Sequence, residues 1–172
     1  TPLRVTEPHT HFTHTPISRT FSKLNGALAQ YIECERDIEC VNSFDPAFVA
    51  WVSDAETARK NVLDRIASIT AAPVSRAADK PLQRISLLTR ALITCKTGTD
   101  FTALYALLGS HDHFFVCFEN DPVGHRVQQM LEVHQDHVHA MADLGEFAED
   151  PLPLAPLDNG SDLPSTPVAA PA

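Results

Sequence analysis

Between Pro16 and Cys40 the apolar residues Ile17, Phe21, Leu24, Leu28, Tyr31, Ile32 and Ile38 recur at intervals of three and four. That spacing puts them on one face of a helix. Thr15 serves as its N-cap and Pro16 takes the first helical position, where a missing N–H costs nothing. Gly26 interrupts the pattern at a cost of up to ~1 kcal/mol relative to alanine, and its presence there predicts close approach by a neighbour. Asp45-Pro46 repeats the start signal. Phe48, Trp51, Val52, Ala55, Ala58, Val62, Ile66 and Ile69 then trace a second stripe, ended by Ala71-Ala72-Pro73, with charged residues on the opposite face.

A third stripe follows Pro81, with Leu82, Ile85, Leu88, Leu92 and Cys95. Leu87, Ala91 and Ile93 broaden it, which predicts a helix covered on more than one side. In Lys96–Asp100 the expectation is that Gly98 stops this helix and Thr99 caps the next. The most apolar stretch, Phe101 to Phe118, keeps helical spacing through Phe101, Leu104, Tyr105, Leu108, His111, Phe115 and Phe118. Gly109-Ser110 offers an earlier stop that would leave 113–118 as a short strand. With no second strand to pair, its backbone groups would be unmet, so the helix is favoured. Asp121-Pro122 opens a last helix carrying Val127, Met130, Leu131, His134, His137, Val138 and Met141 and fading at Gly145.

The pattern therefore predicts an all-α fold, a compact bundle of about five amphipathic helices over residues 16–145. A flexible histidine-containing arm (1–15) precedes it and a disordered, Pro-rich tail (146–172) follows. Pro153 and Pro156, and Pro164 and Pro167, have PxxP spacing without the basic flank of an SH3 ligand.

Composition narrows the function more than it defines it. A chain of 172 residues supports one domain with a real core. The net charge of −9 with scattered basic residues argues against nucleic acid as partner. No apolar run reaches the ~18 residues that a spanning helix needs, which argues against a membrane. The four cysteines form no CxxC, and Cys34 and Cys40 would lie about 9 Å apart along one helix, too far for a bridge. Free thiols in a reducing cytoplasm are expected. Protonating all nine histidines would bring the 13 Lys+Arg to parity with the 22 carboxylates, so solubility should fall in mild acid.

The histidines are the main chemical candidates. His9, His11 and His14 lie on the arm, where a flexible HxH with a third imidazole takes up borderline metals adventitiously. His111 and His113 point to different sides if helical, and His111 falls on the apolar stripe as a core histidine. His134 and His137, at i and i+3, share a face and would need a third donor such as His111 or Cys117 to hold an ion. Glu-x-x-His and HExxH are both missing. Cys95 or Cys117 beside a histidine would make a nucleophile–base pair only in an electropositive pocket. The run Glu33, Glu35, Arg36, Asp37, Glu39 reads as a solvated helix face.

No residue is assigned a catalytic, cofactor-binding or metal-binding role on these grounds, and no cofactor is expected. The function expected is a small non-catalytic interaction or regulatory module. A protein partner or a second copy of the chain would cover an apolar surplus near Leu87–Ile93 and Phe114–Phe118. The alternative is a metal- or small-ligand-binding helical domain built on His134 and His137 with His111 or Cys117.

Overall fold

A computed structural model describes residues 13–40 and 44–147. The fold is all-α: α1 (Pro16–Glu39), α2 (Phe48–Ala71), α3 (Asp79–Ile93), α4 (Gly98–Tyr105), α5 (Leu107–Ser110) and α6 (Pro122–Ala142). Two 3-10 turns, Asp112–Phe114 and Gly145–Phe147, complete it, and there is no strand among the described residues. Helix α1 is the central element. It packs most extensively on α2, and then on α6 and α3. Its stripe is buried as the spacing requires, with Ile17, Phe21, Leu24, Leu28 and Tyr31 wholly inaccessible. Truncating such a side chain, as in Phe21→Ala, costs about 3–5 kcal/mol in a packed core.

The start of the bundle is locked by Asp79, which the sequence reading did not single out. Thr15 caps α1 by accepting from the Ser18 N–H (3.1 Å) and donates its own proton to Asp79 Oδ1 (2.7 Å). Asp79 Oδ2 accepts from the N–H groups of Ser75 and Arg76, both at 3.1 Å. One buried carboxylate thus closes the α2–α3 turn and ties it to the first turn of α1.

Several boundaries differ from expectation. Asp45 caps a turn, accepting from the Ala47 N–H at 2.8 Å, and α2 starts only at Phe48. α3 ends at Ile93, so Gly98 does not stop it; Gly98 instead opens α4, with Thr97 rather than Thr99 as the cap. No neighbour approaches within 4 Å of where a Cβ on Gly26 would sit, so that glycine marks no close contact.

The largest difference lies in Phe101–Phe118. The helix breaks at Ala106, resumes as one turn, and yields to the 3-10 turn; residues 115–120 are neither helix nor strand. Side chains meet the backbone here in place of a partner strand: Gln128 Oε1 accepts from the Cys117 N–H at 3.0 Å. Gly124 lets this segment lie against α6. A Cβ there would sit 2.0 Å from the Glu119 carbonyl oxygen.

At the far end the bundle runs to Phe147, whose ring stacks on Phe101 at 4.4 Å between centroids. Of the expected arm at 1–15, residues 1–12 with His9 and His11 lie outside the described residues, as do the PxxP segments and the rest of the tail from 148 on. None of the described helices is long and apolar enough to cross a membrane.

Candidate functional site

The histidines expected to act together are separated. His134 is fully buried between α1, α3 and α6, its ring 4.9 Å from that of Phe21. Asn25 Nδ2 donates to the Met130 carbonyl (3.0 Å), which turns Asn25 Oδ1 towards His134 Nδ1 at 2.8 Å. Thr89 Oγ1 lies 2.7 Å from Nε2. Burial first, and His137 second, lower the pKa of His134 to about 3, so the ring is neutral. Because Asn25 Oδ1 can only accept, Nδ1 carries the proton and donates to it; Nε2 is then the acceptor facing the Thr89 hydroxyl, whose single proton it shares with the Ile85 carbonyl at 2.9 Å. Both ring nitrogens are used, and a metal ion would have to displace one of these bonds.

His137 is half-buried, and burial again lowers its pKa. His111 is exposed on the surface, so it is not the core histidine that the stripe implied. Its Nδ1 lies 2.8 Å from Ser110 Oγ, and its ring faces those of His113 and Phe114. Among the described residues no three of His, Cys, Asp and Glu gather closely enough to hold a metal ion. All four cysteines are unpaired. Burial raises the pKa of Cys34, Cys95 and Cys117, which keeps them as thiols and removes the activation that a nucleophile needs.

Of the acidic residues read as a solvated face, Glu39 has a hydrogen-bond partner and Glu35 lies in the field of Glu146 and Arg59. Glu39 accepts from the Gly145 N–H, and Tyr31 donates its hydroxyl to Glu146, so the last 3-10 turn is held on the end of α1. Burial, and then the Glu146 charge, raise the pKa of Glu35 to about 7, with Arg59 opposing. Burial and Glu146 also push the Tyr31 hydroxyl upward, keeping it a donor. The signal was legible only as one acidic residue per turn at Glu35 and Glu39; the turn beside them, at Gly145 and Glu146, lies more than a hundred residues along the chain.

The open apolar surface lies where α3 meets α5 and the 3-10 turn. Arg84, Leu87, Leu107, His111, Phe114 and Phe115 line a groove of about 340 Å³. Leu87 is 51% exposed and Phe114 41%, while Phe115 forms a buried floor. The Arg84 guanidinium stands 5.3 Å from the Phe114 ring centroid and 3.5 Å from its carbonyl oxygen. Beyond Arg84 a smaller hollow of about 160 Å³ continues to Lys80, Pro81, Val116, Phe118 and Glu119, with Phe118 73% exposed. The trough between α1 and α6 is larger, about 510 Å³, but Ser22, Arg126, Gln129, Glu132 and Asp136 make it a hydrated surface. The apolar surplus noted in the sequence thus divides. Leu88, Ile93 and Phe115 enter the core, and Leu87, Phe114 and Phe118 stay outside.

These features define the class as a helical bundle with a sealed polar cluster in an apolar core and, among the described residues, an open apolar surface groove. Compared with protein-family models, curated proteins and solved structures, the chain shows no match.

Proposed function

We propose that the protein is a non-catalytic interaction module, and that the α3–α5 groove holds an apolar, acid-flanked segment of a protein partner. The observation that carries this reading is the groove itself, with Leu87, Leu107 and Phe114 left in water around a buried floor. Aromatic and arginine side chains of this kind are the usual anchors of protein interfaces. The charges select the partner's chemistry. On a chain of net charge −9, Arg84 and Lys80 stand along the two hollows, opposed there only by Glu119. Acidic residues flanking an apolar ligand would be oriented by that rim. The four unpaired thiols fit a reducing compartment such as the cytoplasm.

The test is selection of random peptides on the full chain, with counter-selection on Leu87→Asp. The expected winners combine two or three large apolar residues with flanking Asp or Glu, and lose binding to the variant. Failure to enrich any peptide that distinguishes the two proteins contradicts the proposal.

A further inference from the structure

The chain carries a sequence with the chemistry that this groove selects. Residues 149–158 read Glu-Asp-Pro-Leu-Pro-Leu-Ala-Pro-Leu-Asp, three leucines between acidic ends, and residues 148–172 contain no Lys, Arg or His. The geometry points to this segment as an occupant of the groove in the same molecule, competing with outside partners. The inference rests on the interaction reading above and adds the identity of one ligand.

Three observations support it. The first is spacing. The alternation of proline favours a polyproline II conformation, with three residues per turn. Pro153 and Pro156 then fall on one edge and Leu154 and Leu157 on the next, which makes a double apolar ridge. Grooves lined by aromatic side chains are the usual receptors for such ridges, and Phe114, Phe115 and His111 line this one. An extended ligand of this kind has little conformational entropy left to lose on docking.

The second is charge. Glu149, Asp150 and Asp158 bracket the leucines, and Arg84 lines the groove with Lys80 in the adjoining hollow. This departs from SH3-type recognition, where the ligand is basic and the groove acidic; here both signs are exchanged. The missing basic flank that argued against an SH3 ligand is what fits the segment to this surface.

The third is reach. Phe147 is anchored on Phe101, and α4 and α5 run on from there as a nearly continuous helix to Leu107 at the groove's edge. Six helical residues rise about 9 Å. The four residues from Ala148 to Pro151 span up to ~13 Å when extended. Leu152 is therefore within range of the Leu107 end, and Leu154 and Leu157 can continue towards Leu87 and Phe114.

The experiment replaces Leu154 in the full chain with the photo-crosslinking residue p-benzoyl-phenylalanine. Equal amounts of unlabelled and 15N-labelled chain are mixed before irradiation, and the products are mapped by mass spectrometry. The expected result is crosslinking within one chain to the Leu87, Leu107 and Phe114 region, abolished by Leu87→Asp. Crosslinks that fall elsewhere, that join labelled to unlabelled chains, or that survive Leu87→Asp overturn the inference. An independent readout uses the full chain carrying Leu154→Asp and Leu157→Asp. Removing an in-cis competitor held at high effective concentration should tighten binding of the selected peptides by roughly threefold to tenfold. Unchanged affinity contradicts the inference. If the crosslinks miss the groove while selected peptides still require Leu87, this inference fails and the interaction reading stands. If those peptides fail as well, both fall.

Discussion

Two faces of α3 serve opposite purposes. Thr89 faces inward, fully buried, with its hydroxyl against the neutral ring of His134 and the Ile85 carbonyl. Leu87, two residues earlier, faces outward and leaves half its surface in water. The inner site holds the polar groups that would suggest chemistry, and each is paired with another. The outer site has almost no polar groups and no partner among the described residues. A paired polar cluster in a sealed core supports structure; an unpartnered apolar surface calls for something to cover it. The comparison teaches that the most chemically suggestive residues of this chain are those already occupied by its own fold.

The sharpest way to break this contrast is to remove one member from each side. Asn25→Ala leaves the His134 Nδ1–H unpaired at a buried site and takes the side-chain donor from the Met130 carbonyl, and should destabilise the protein by about 1–3 kcal/mol. Leu87→Asp on the exposed face should change stability by no more than about 0.5 kcal/mol. Urea denaturation of both variants measures the pair. Equal losses would mean that Leu87 belongs to the core.

Gly124→Ala tests the wall of the outer site. Its Cβ would meet the Glu119 carbonyl, so the 115–120 segment must move away from α6. The expected cost is about 1–3 kcal/mol of overpacking. Loss of the hydrogen bond between the Cys117 N–H and Gln128 should appear as faster amide exchange at Cys117. Unchanged exchange there would show that the wall does not depend on this contact.

A smaller effect separates buried His134 from half-buried Glu35 by pH. His134 titrates near 6.5 unfolded and at about 3 folded, so its contribution is present above 6.5 and is lost as pH falls towards 3. Glu35 runs the other way, from 4.5 unfolded to about 7 folded, so its contribution is present below 4.5 and is lost as pH rises through 7. Between 4.5 and 6.5 the two slopes oppose each other. Glu35→Gln should therefore leave stability rising with pH up to 6.5 and level beyond it. At pH 8 the variant should exceed the wild type by under about 1 kcal/mol, the partly exposed site being screened. Parallel curves for the two proteins would contradict the assignment of Glu35.

Most of the scaffold was legible in the sequence because its signals are local. Stripes at 3.6-residue spacing identified the α1, α3 and α6 faces, and Thr15-Pro16 and Asp121-Pro122 marked two helix starts. Phe101–Phe118 was misread as one helix because the argument against an irregular segment assumed backbone partners only. Gln128, eleven residues ahead, supplied a side-chain acceptor that no periodicity reveals. The same limit applied to the sites. His134 and His137 share a helix face, but whether His134 is free depends on Asn25 and Thr89, which lie 109 and 45 residues away. Glu35 and Glu39 looked alike in the sequence until Gly145 was brought to Glu39 and the Glu146 charge to Glu35. The apolar surplus at Leu87 and Phe114 was visible as composition, and only the packing of Leu88, Ile93 and Phe115 inward showed which part remains outside.

The central claim is that the α3–α5 groove is the docking face, and affinity of a selected peptide tests it most directly. Titration calorimetry would compare the wild type with Leu87→Asp and with Val133→Asp. Val133 is an apolar residue of similar exposure in the α1–α6 trough, and so serves as the control. The account predicts at least a tenfold loss for Leu87→Asp, equivalent to about 1.4 kcal/mol. Val133→Asp should stay within about twofold of the wild type, as expected of a surface change remote from the interface. Equal losses in both variants, or none in Leu87→Asp, would contradict it.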